Sequence, residues 1–139
     1  MSDGLNAKAL MDDGHLFPFL QELTDHLTKK VIKISPQPIV FTHGRVRAGY
    51  AAGEHLFGSL PISDRQKGII HIIGERPCSG HHNFSAYITA TSICKWANNG
   101  SVDHDITKVV SGISDTALLP YQAAEEVSNI FDDLLIKKV

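Results

Sequence analysis

The sequence contains little cysteine, no long apolar run and no cluster of basic residues, and each shortage excludes a class of protein. Its two cysteines, Cys78 and Cys94, form neither a metal-type pair nor a disulfide framework. No apolar run approaches the roughly 20 residues that span a bilayer, and residues 1–14 are too polar and acidic for a signal peptide. Lysine and arginine never run longer than a pair and the formal net charge is −2, which disfavours nucleic-acid binding. We therefore expect a cytoplasmic protein with neither a membrane nor a nucleic-acid partner.

The length and composition are those of one globular domain. A chain of 139 residues buries about two thirds of the surface that it exposes when unfolded. Hydrophobic residues make up 42% of the sequence and charged residues 20%, as in ordinary globular proteins. We expect a single domain over residues 1–139, with residues 1–14 weakly organised.

Apolar periodicity predicts helices that alternate with strands. Leu16, Leu20, Leu23 and Leu27 repeat at helical spacing, and Pro120 begins a second strongly amphipathic segment at the end of the chain. Other apolar segments predict a helix over residues 44–60 and strands over residues 31–34, 39–42, 69–73, 85–89 and 106–110. This order predicts an α/β domain of the three-layer, Rossmann-like type, with a mostly parallel or mixed sheet.

The strand over residues 69–73 leads into the most informative turn of the sequence. The strand is rich in β-branched residues and stops at Gly74-Glu75-Arg76-Pro77. Ligand sites of open α/β sheets lie at such strand ends, so Glu75 is a candidate ligand contact. The alternative is a structural role, in which Glu75 and Arg76 pair with each other or cap a helix. Gly49 and Gly53, in the preceding helix, allow close approach by either the sheet or a flat ligand, and packing on the sheet is favoured.

Histidines and cysteines raise two further hypotheses. The eight histidines include the pair His81-His82, and Asp103-His104-Asp105 adds possible ligands, but no pair shows the i, i+4 spacing of a helical zinc site. We therefore predict no metal site. Cys78 beside these histidines is a weaker hypothesis for a thiol hydrolase. No G-x-S-x-G elbow, G-x-G-x-x-G loop or P-loop is present.

Several short segments in order resemble a known family. Between residues 38 and 135 the sequence resembles the C-terminal, cobalamin-contacting domain of the light (small) subunit of ethanolamine ammonia-lyase. The residues that carry this resemblance are Gly44-Arg45-Val46, Gly74-Glu75-Arg76-Pro77, Ser85-Ala86-Tyr87-Ile88-Thr89, Val110-Ser111-Gly112-Ile113 and Leu119-Pro120-Tyr121-Gln122-Ala123-Ala124. The Gly-Glu-Arg-Pro turn after a buried strand is the most specific of them.

The resemblance implies a function in ethanolamine catabolism. It implies a Rossmann-like domain that contacts adenosylcobalamin through Val46, Glu75 and Val109, at an interface with a barrel-type large subunit that holds the substrate. The light chain is then part of a lyase and inert alone, in the cytoplasm or in a bacterial microcompartment. No D-x-H-x-x-G motif is present, so no axial histidine is assigned. The alternative is a stand-alone, homo-oligomeric binding or scaffold module that keeps the fold without cobalamin.

Overall fold

The structure is a computed structural model that describes residues 1–11, 14–60, 66–76, 82–91 and 106–136. Within these ranges the chain forms, in order, α1 (Lys8–Met11), α2 (Leu16–Lys29), α3 (Ala48–Phe57), β1 (Lys67–Gly74), β2 (Phe84–Thr91), β3 (Thr107–Ile113) and α4 (Pro120–Ile136). The mixed α/β class predicted from the sequence is therefore confirmed.

The two strongly amphipathic helices lie where periodicity predicts them. In α2 the buried positions are Leu16, Phe19, Leu23 and Leu27, which share one face at spacings of three and four. In α4, Pro120 occupies the first turn, where its missing N–H is not needed by the helix. The two helices pack against each other and α4 also packs on the sheet, so both bury their apolar stripes.

The sheet differs from the predicted one in the direction of its strands. Its order is β1-β2-β3, and both neighbouring pairs are antiparallel. The prediction of a mostly parallel or mixed, Rossmann-like sheet is wrong for these three strands, which pair only antiparallel with one another. The connection from β1 to β2 spans only residues 75–83, whereas a parallel crossover requires about a dozen residues or more, usually including a helix. Parallel pairing in the described residues is confined to isolated bridges, such as those of Ser2 with Phe41 and with Ile73.

Two of the predicted strands are absent from the described fold. Residues 31–34 follow α2 as coil, and within residues 39–42 the only strand-like pairing is the isolated bridge at Phe41. Val31 adopts a left-handed backbone conformation, with φ of 61°, which no strand residue has. Pro36 and Pro38 lack the N–H that a ladder needs. Without these two strands, the helix–strand alternation that predicted parallel crossovers disappears.

Helices cover both faces of the sheet, as the alternation of side chains along β1 shows. Gly68 lies directly under the ring of Phe131 in α4, whereas His71 lies against Gly49 in α3. Residues an odd number of positions apart on a strand point to opposite faces. The apolar core therefore lies between the sheet and the α2–α4 pair, and α3 packs on the other face, over β1 and β2.

Candidate functional site

The sheet face under α3 is rich in buried polar side chains. His71, Ser85, Thr89 and Thr107 are each at most 3% exposed. Their registers place them on one face, since His71 lies opposite Tyr87 while the alternate residues belong to the apolar core. Buried polar groups lower stability unless they form hydrogen bonds. This face is therefore built for something other than maximal apolar burial.

A chain of hydroxyl groups ties α3 to two strands of this face. Thr89 Oγ1 and Thr107 Oγ1 are 2.9 Å apart across β2 and β3, and the Tyr50 hydroxyl of α3 bonds Thr107 Oγ1 in turn. Each hydroxyl can donate one hydrogen bond and accept others, so three of them can satisfy one another in series. The chain fixes where α3 lies along the sheet.

His71 is the central side chain under α3, and it is buried and uncharged at neutral pH. A hydrogen bond of 2.8 Å joins its Nε2 to Ser2 Oγ, and no described residue forms a hydrogen bond to its Nδ1. Burial, and to a smaller extent the nearby chain N-terminus, lowers the pKa of His71 from 6.5 to about 4. The ring is fully buried and is bonded to a residue 69 positions away in the sequence.

The approach of α3 to this face depends on Gly49. A Cβ on Gly49 would lie 2.9 Å from Cβ of His71, closer than such atoms approach in real structures. Of the two explanations for glycine at this position, close packing on the sheet is therefore confirmed.

The first residues of the chain extend the sheet beyond β1. The Ser2 N–H donates to the Ile72 carbonyl at 2.9 Å, and the Leu5 N–H donates to the Gly74 carbonyl at 3.0 Å. On the far side, the Phe41 N–H donates to the Met1 carbonyl at 2.9 Å. This segment thus lies between β1 and the chain that leads into α3. Nothing in the polarity of residues 1–6 indicates these contacts.

The three predicted cofactor contacts lie in or beside three different elements on the α3 side of the sheet. Val109 lies opposite Tyr87 in the ladder, and Tyr87 lies opposite His71, so Val109 shares the α3 face. Glu75 is the first residue after β1 and continues its pairing, since its N–H donates to the Asn83 carbonyl at 3.0 Å. Val46 lies just before the first turn of α3. Their contact with a cofactor stays a prediction.

Tyr87 provides an electrostatic connection between Glu75 and the sheet face. Burial raises the pKa of the Tyr87 phenol, and the negative charge of Glu75 raises it further. The Glu75 carboxylate is therefore close enough to influence the aromatic ring that neighbours Val109. Tyr87 also lies 6.3 Å from the His71 ring, centroid to centroid. The face consequently offers an aromatic and aliphatic surface with a carboxylate at its end.

The residues of the alternative thiol and metal sites lie only partly within the described ranges. Cys78, His81, Asp103, His104 and Asp105 lie outside the described residues, so the thiol hypothesis and most of the metal hypothesis stay predictions. His82 accepts a hydrogen bond of 3.1 Å at Nδ1 from Nδ2 of Asn6. Among the residues that the structure describes, no group of three or more metal-binding side chains occurs. No described helix is long and apolar enough to cross a membrane.

A known protein family matches this chain. The sequence model of the ethanolamine ammonia-lyase light chain family (EutC) matches residues 1–139. The chain belongs to this family. A search of curated proteins gives no match. The family match confirms the resemblance seen in the segments around Val46 and Glu75, and it extends that resemblance from residues 38–135 to the whole sequence. Membership among the light chains of the lyase implies a large-subunit partner.

Proposed function

We propose that this light chain contributes to an adenosylcobalamin site at its interface with a barrel-type large subunit. Val46, Val109 and Glu75 are the residues that would contact the cofactor. In this proposal the chain binds and orients the cofactor and does not carry the substrate site. The family match supports the light-chain role, and the chemistry of the α3 face supports the choice of residues.

The observation that carries the proposal is the exposure of two valines on the side of the sheet where Glu75 lies. Val46 is 42% exposed and Val109 is 46% exposed. A corrin ring has apolar faces and a rim of amide groups, so it requires apolar surface and hydrogen-bond acceptors together. The valines supply apolar surface and the Glu75 carboxylate supplies acceptors. The residues present therefore fit the group.

The strand end gives Glu75 a fixed position. Its N–H donates to the Asn83 carbonyl, which holds the backbone at the end of β1, and its side chain is half-buried. An acceptor that is already held in place loses little conformational entropy when it binds an amide. Glu75 would thus orient the cofactor through hydrogen bonds, with no proton transfer required.

The reaction chemistry would come from the cofactor and the large subunit. When bound, adenosylcobalamin supplies radicals from its cobalt–carbon bond. On this chain, the buried histidine of the α3 face is uncharged at neutral pH, with a pKa of about 4, and is enclosed by Ser2 and α3. Its side chain is only 2% exposed, so a substrate cannot reach the ring and His71 has a structural role. We expect the isolated chain to be catalytically inert.

Titration calorimetry with adenosylcobalamin tests the proposal. The purified chain is titrated alone and after assembly with the large subunit from the same source. In the assembled protein, Glu75→Ala should weaken binding roughly ten- to a hundredfold, because a hydrogen bond to a charged group contributes about 1.5–3 kcal/mol. Glu75→Gln should weaken binding less, because it keeps one acceptor oxygen.

Glu125 provides a matched control for the loss of a carboxylate. It is exposed on α4, in the layer on the opposite side of the sheet. Glu125→Ala should leave cobalamin affinity unchanged. Equal effects of the two alanine variants would remove Glu75 from the site. An absence of binding in both the isolated and the assembled wild type would contradict the cobalamin function and favour the stand-alone module.

A further inference from the structure

Residues 2–6 form a segment, here called the N-terminal strap, that contacts both turns of the proposed site. Ser2 bridges to Phe41 on one side and to Ile73 on the other. From Phe41 the chain continues through residues 42–45 to Val46. From Ile73 it continues through Gly74 to Glu75. The strap is therefore the shared support of two turns that are far apart in the sequence.

At the first turn, the side chain of Asp3 holds two consecutive backbone amides. The His43 N–H donates to Asp3 Oδ2 at 2.9 Å, and the Gly44 N–H donates to Asp3 Oδ1 at 3.0 Å. His43 has a left-handed backbone conformation, with φ of 56°. Successive N–H groups in such a turn form a concave anion-binding site, and here the anion is the Asp3 carboxylate. The His43 N–H bond is the main cause of a lowered pKa for Asp3.

Gly44 allows the strap to lie directly on this turn. A Cβ at Gly44 would collide with Cβ of Ser2, so any other residue at position 44 would push the strap away. The glycine that begins the Gly44-Arg45-Val46 segment is thus explained by contact with the strap. Its role is to keep the turn before Val46 attached to the sheet.

At the second turn, the strap fits against Gly74 in the same way. A Cβ at Gly74 would collide with the carbonyl oxygen of Asn6, and the Leu5 N–H donates to the Gly74 carbonyl. The Asn6 side chain also donates a hydrogen bond to His82. The next residue, Asn83, accepts the Glu75 N–H at its carbonyl. The strap therefore supports both sides of the strand end that carries Glu75.

We propose that the N-terminal strap is a positioning element of the cofactor site and that Asp3 is its principal positioning residue. The strap fixes the distance between the turn before Val46 and the turn at Glu75, so that both can contact one rigid ligand. This inference rests on the proposed cobalamin function. Asp3 itself acts through the backbone of His43 and Gly44 and does not touch the cofactor.

The test compares Asp3→Asn with Asp25→Asn in the light chain assembled with its large subunit. Asp25 is exposed on α2 and serves as the control for losing one negative charge. Asparagine keeps one acceptor oxygen but turns its NH₂ group toward the second amide. Hydrogen exchange of the His43 and Gly44 amides should accelerate roughly tenfold or more in Asp3→Asn, because it loses a charge-assisted bond.

Adenosylcobalamin affinity is the second readout. By calorimetry, Asp3→Asn should bind roughly tenfold more weakly, while its melting temperature, secondary structure and assembly with the large subunit stay close to wild type. Asp3→Glu should recover part of the affinity, because it restores both carboxylate oxygens. Gly44→Ala, which displaces Ser2 and keeps the Asp3 charge, should weaken binding as well.

Each outcome bears on a different part of the inference. Unchanged exchange at His43 and Gly44 would overturn the strap as an anchor, whatever the cofactor result. Faster exchange with unchanged cobalamin affinity would overturn only its positioning role and leave the proposed function standing. No cobalamin binding by the assembled wild type would overturn the proposed function, and the positioning role with it.

Discussion

The two faces of the sheet are built from chemically different side chains. On the face covered by α2 and α4, the strands present residues such as Ile72, Phe84 and Ile88 to an apolar core. On the face covered by α3, the strands present His71, Ser85 and hydroxyl groups. Large side chains fill the first interface, whereas the second includes a close glycine contact and the hydrogen bonds of His71, Thr89 and Thr107.

Stability and specific geometry therefore come from opposite sides of one sheet. Apolar packing is strong but adjusts to many volume-conserving changes. Polar groups in a buried site tolerate few alternatives, because each one needs a partner at a particular place. The α3 face also holds the two turns proposed to contact the cofactor. Substitutions should therefore have different signatures on the two faces.

The largest effect is expected from truncation on the apolar face. Phe19 of α2 is fully buried and packs edge-to-face on Phe84 of β2, with ring centroids 5.3 Å apart. Phe19→Ala should lower the free energy of unfolding by about 3–5 kcal/mol, because it removes apolar burial and leaves a cavity. Urea denaturation measures this loss.

The control lies two residues earlier on the same helix. Phe17 is 71% exposed, so Phe17→Ala should change the unfolding free energy by less than about 0.5 kcal/mol. Similar losses for the two variants would mean that α2 does not present the Phe19 face to the sheet. The apolar face would then not be the main source of stability.

The second effect is an acid sensitivity that belongs to the polar face. The pKa of His71 is about 4 in the folded chain and 6.5 ordinarily. Above pH 6.5 the ring is neutral in both states, so its contribution to stability is fully present. As the pH falls from 6.5 to 4, the unfolded chain takes up a proton that the folded chain does not. The free energy of unfolding therefore falls by about 3 kcal/mol over this range, at about 1.4 kcal/mol per pKa unit.

Substitution of His71 separates this contribution from general acid unfolding. His71→Phe should flatten the fall in unfolding free energy between pH 6.5 and 4, although it leaves Ser2 Oγ without its partner and so lowers stability at pH 7. Adding Ser2→Ala should relieve part of that loss. His55→Phe changes an exposed histidine of α3 and should keep the wild-type slope. An unaltered slope in His71→Phe would contradict the assignment.

A smaller effect tests how closely α3 approaches the sheet. Helix propensity alone predicts that Gly49→Ala stabilises α3 by about 1 kcal/mol. The new Cβ would lie 2.9 Å from Cβ of His71, so we expect overpacking to dominate and the variant to lose about 1–2 kcal/mol. The reciprocal variant, Ala51→Gly at an exposed position of α3, should lose about 1 kcal/mol through propensity. If Gly49→Ala is more stable than wild type, α3 lies farther from His71 than the 2.9 Å separation implies.

The apolar face was predictable from the sequence, and the polar face was largely not. Periodicity located α2 and α4, because a helix stripe records only which side is buried. Strand direction was mispredicted because residues 31–34 and 39–42 have strand-like composition but lack ladder pairing. Composition reports the preference of a side chain for a pleated surface and says nothing of which neighbour it pairs with.

Single residues of the site were predictable to different degrees. The Glu75 turn was visible because a β-branched strand ended at a charged Gly-Glu-Arg-Pro segment. Gly49 was visible as a costly residue in a helix. The partnerships of Ser2 with His71 and of Asp3 with the turn at Gly44 were not, because they join residues that are about 40 to 70 positions apart. No local rule of sequence reports contacts at that separation.

The smallest expected effect concerns the end of α2, at the border of the apolar layer. The Ile32 N–H donates to the Leu27 carbonyl and the Val31 N–H to the Thr28 carbonyl, at 3.0 and 2.9 Å. This is the Schellman arrangement, which requires a left-handed residue where Val31 stands, with φ of 61°. A β-branched residue is strained there, and 88% of this side chain is exposed, so it gains little from packing. Glycine fits the position without strain.

Val31→Gly should therefore raise the free energy of unfolding by about 1 kcal/mol, the left-handed strain being partly offset by the greater freedom of glycine in the unfolded chain. Val40→Gly is the matched control, because Val40 is 69% exposed but has no positive φ. It should bring no gain. Chemical denaturation of both variants at neutral pH gives the difference. Equal stabilities would show that the end of α2 relaxes without cost, and that the strain at Val31 is absent in solution.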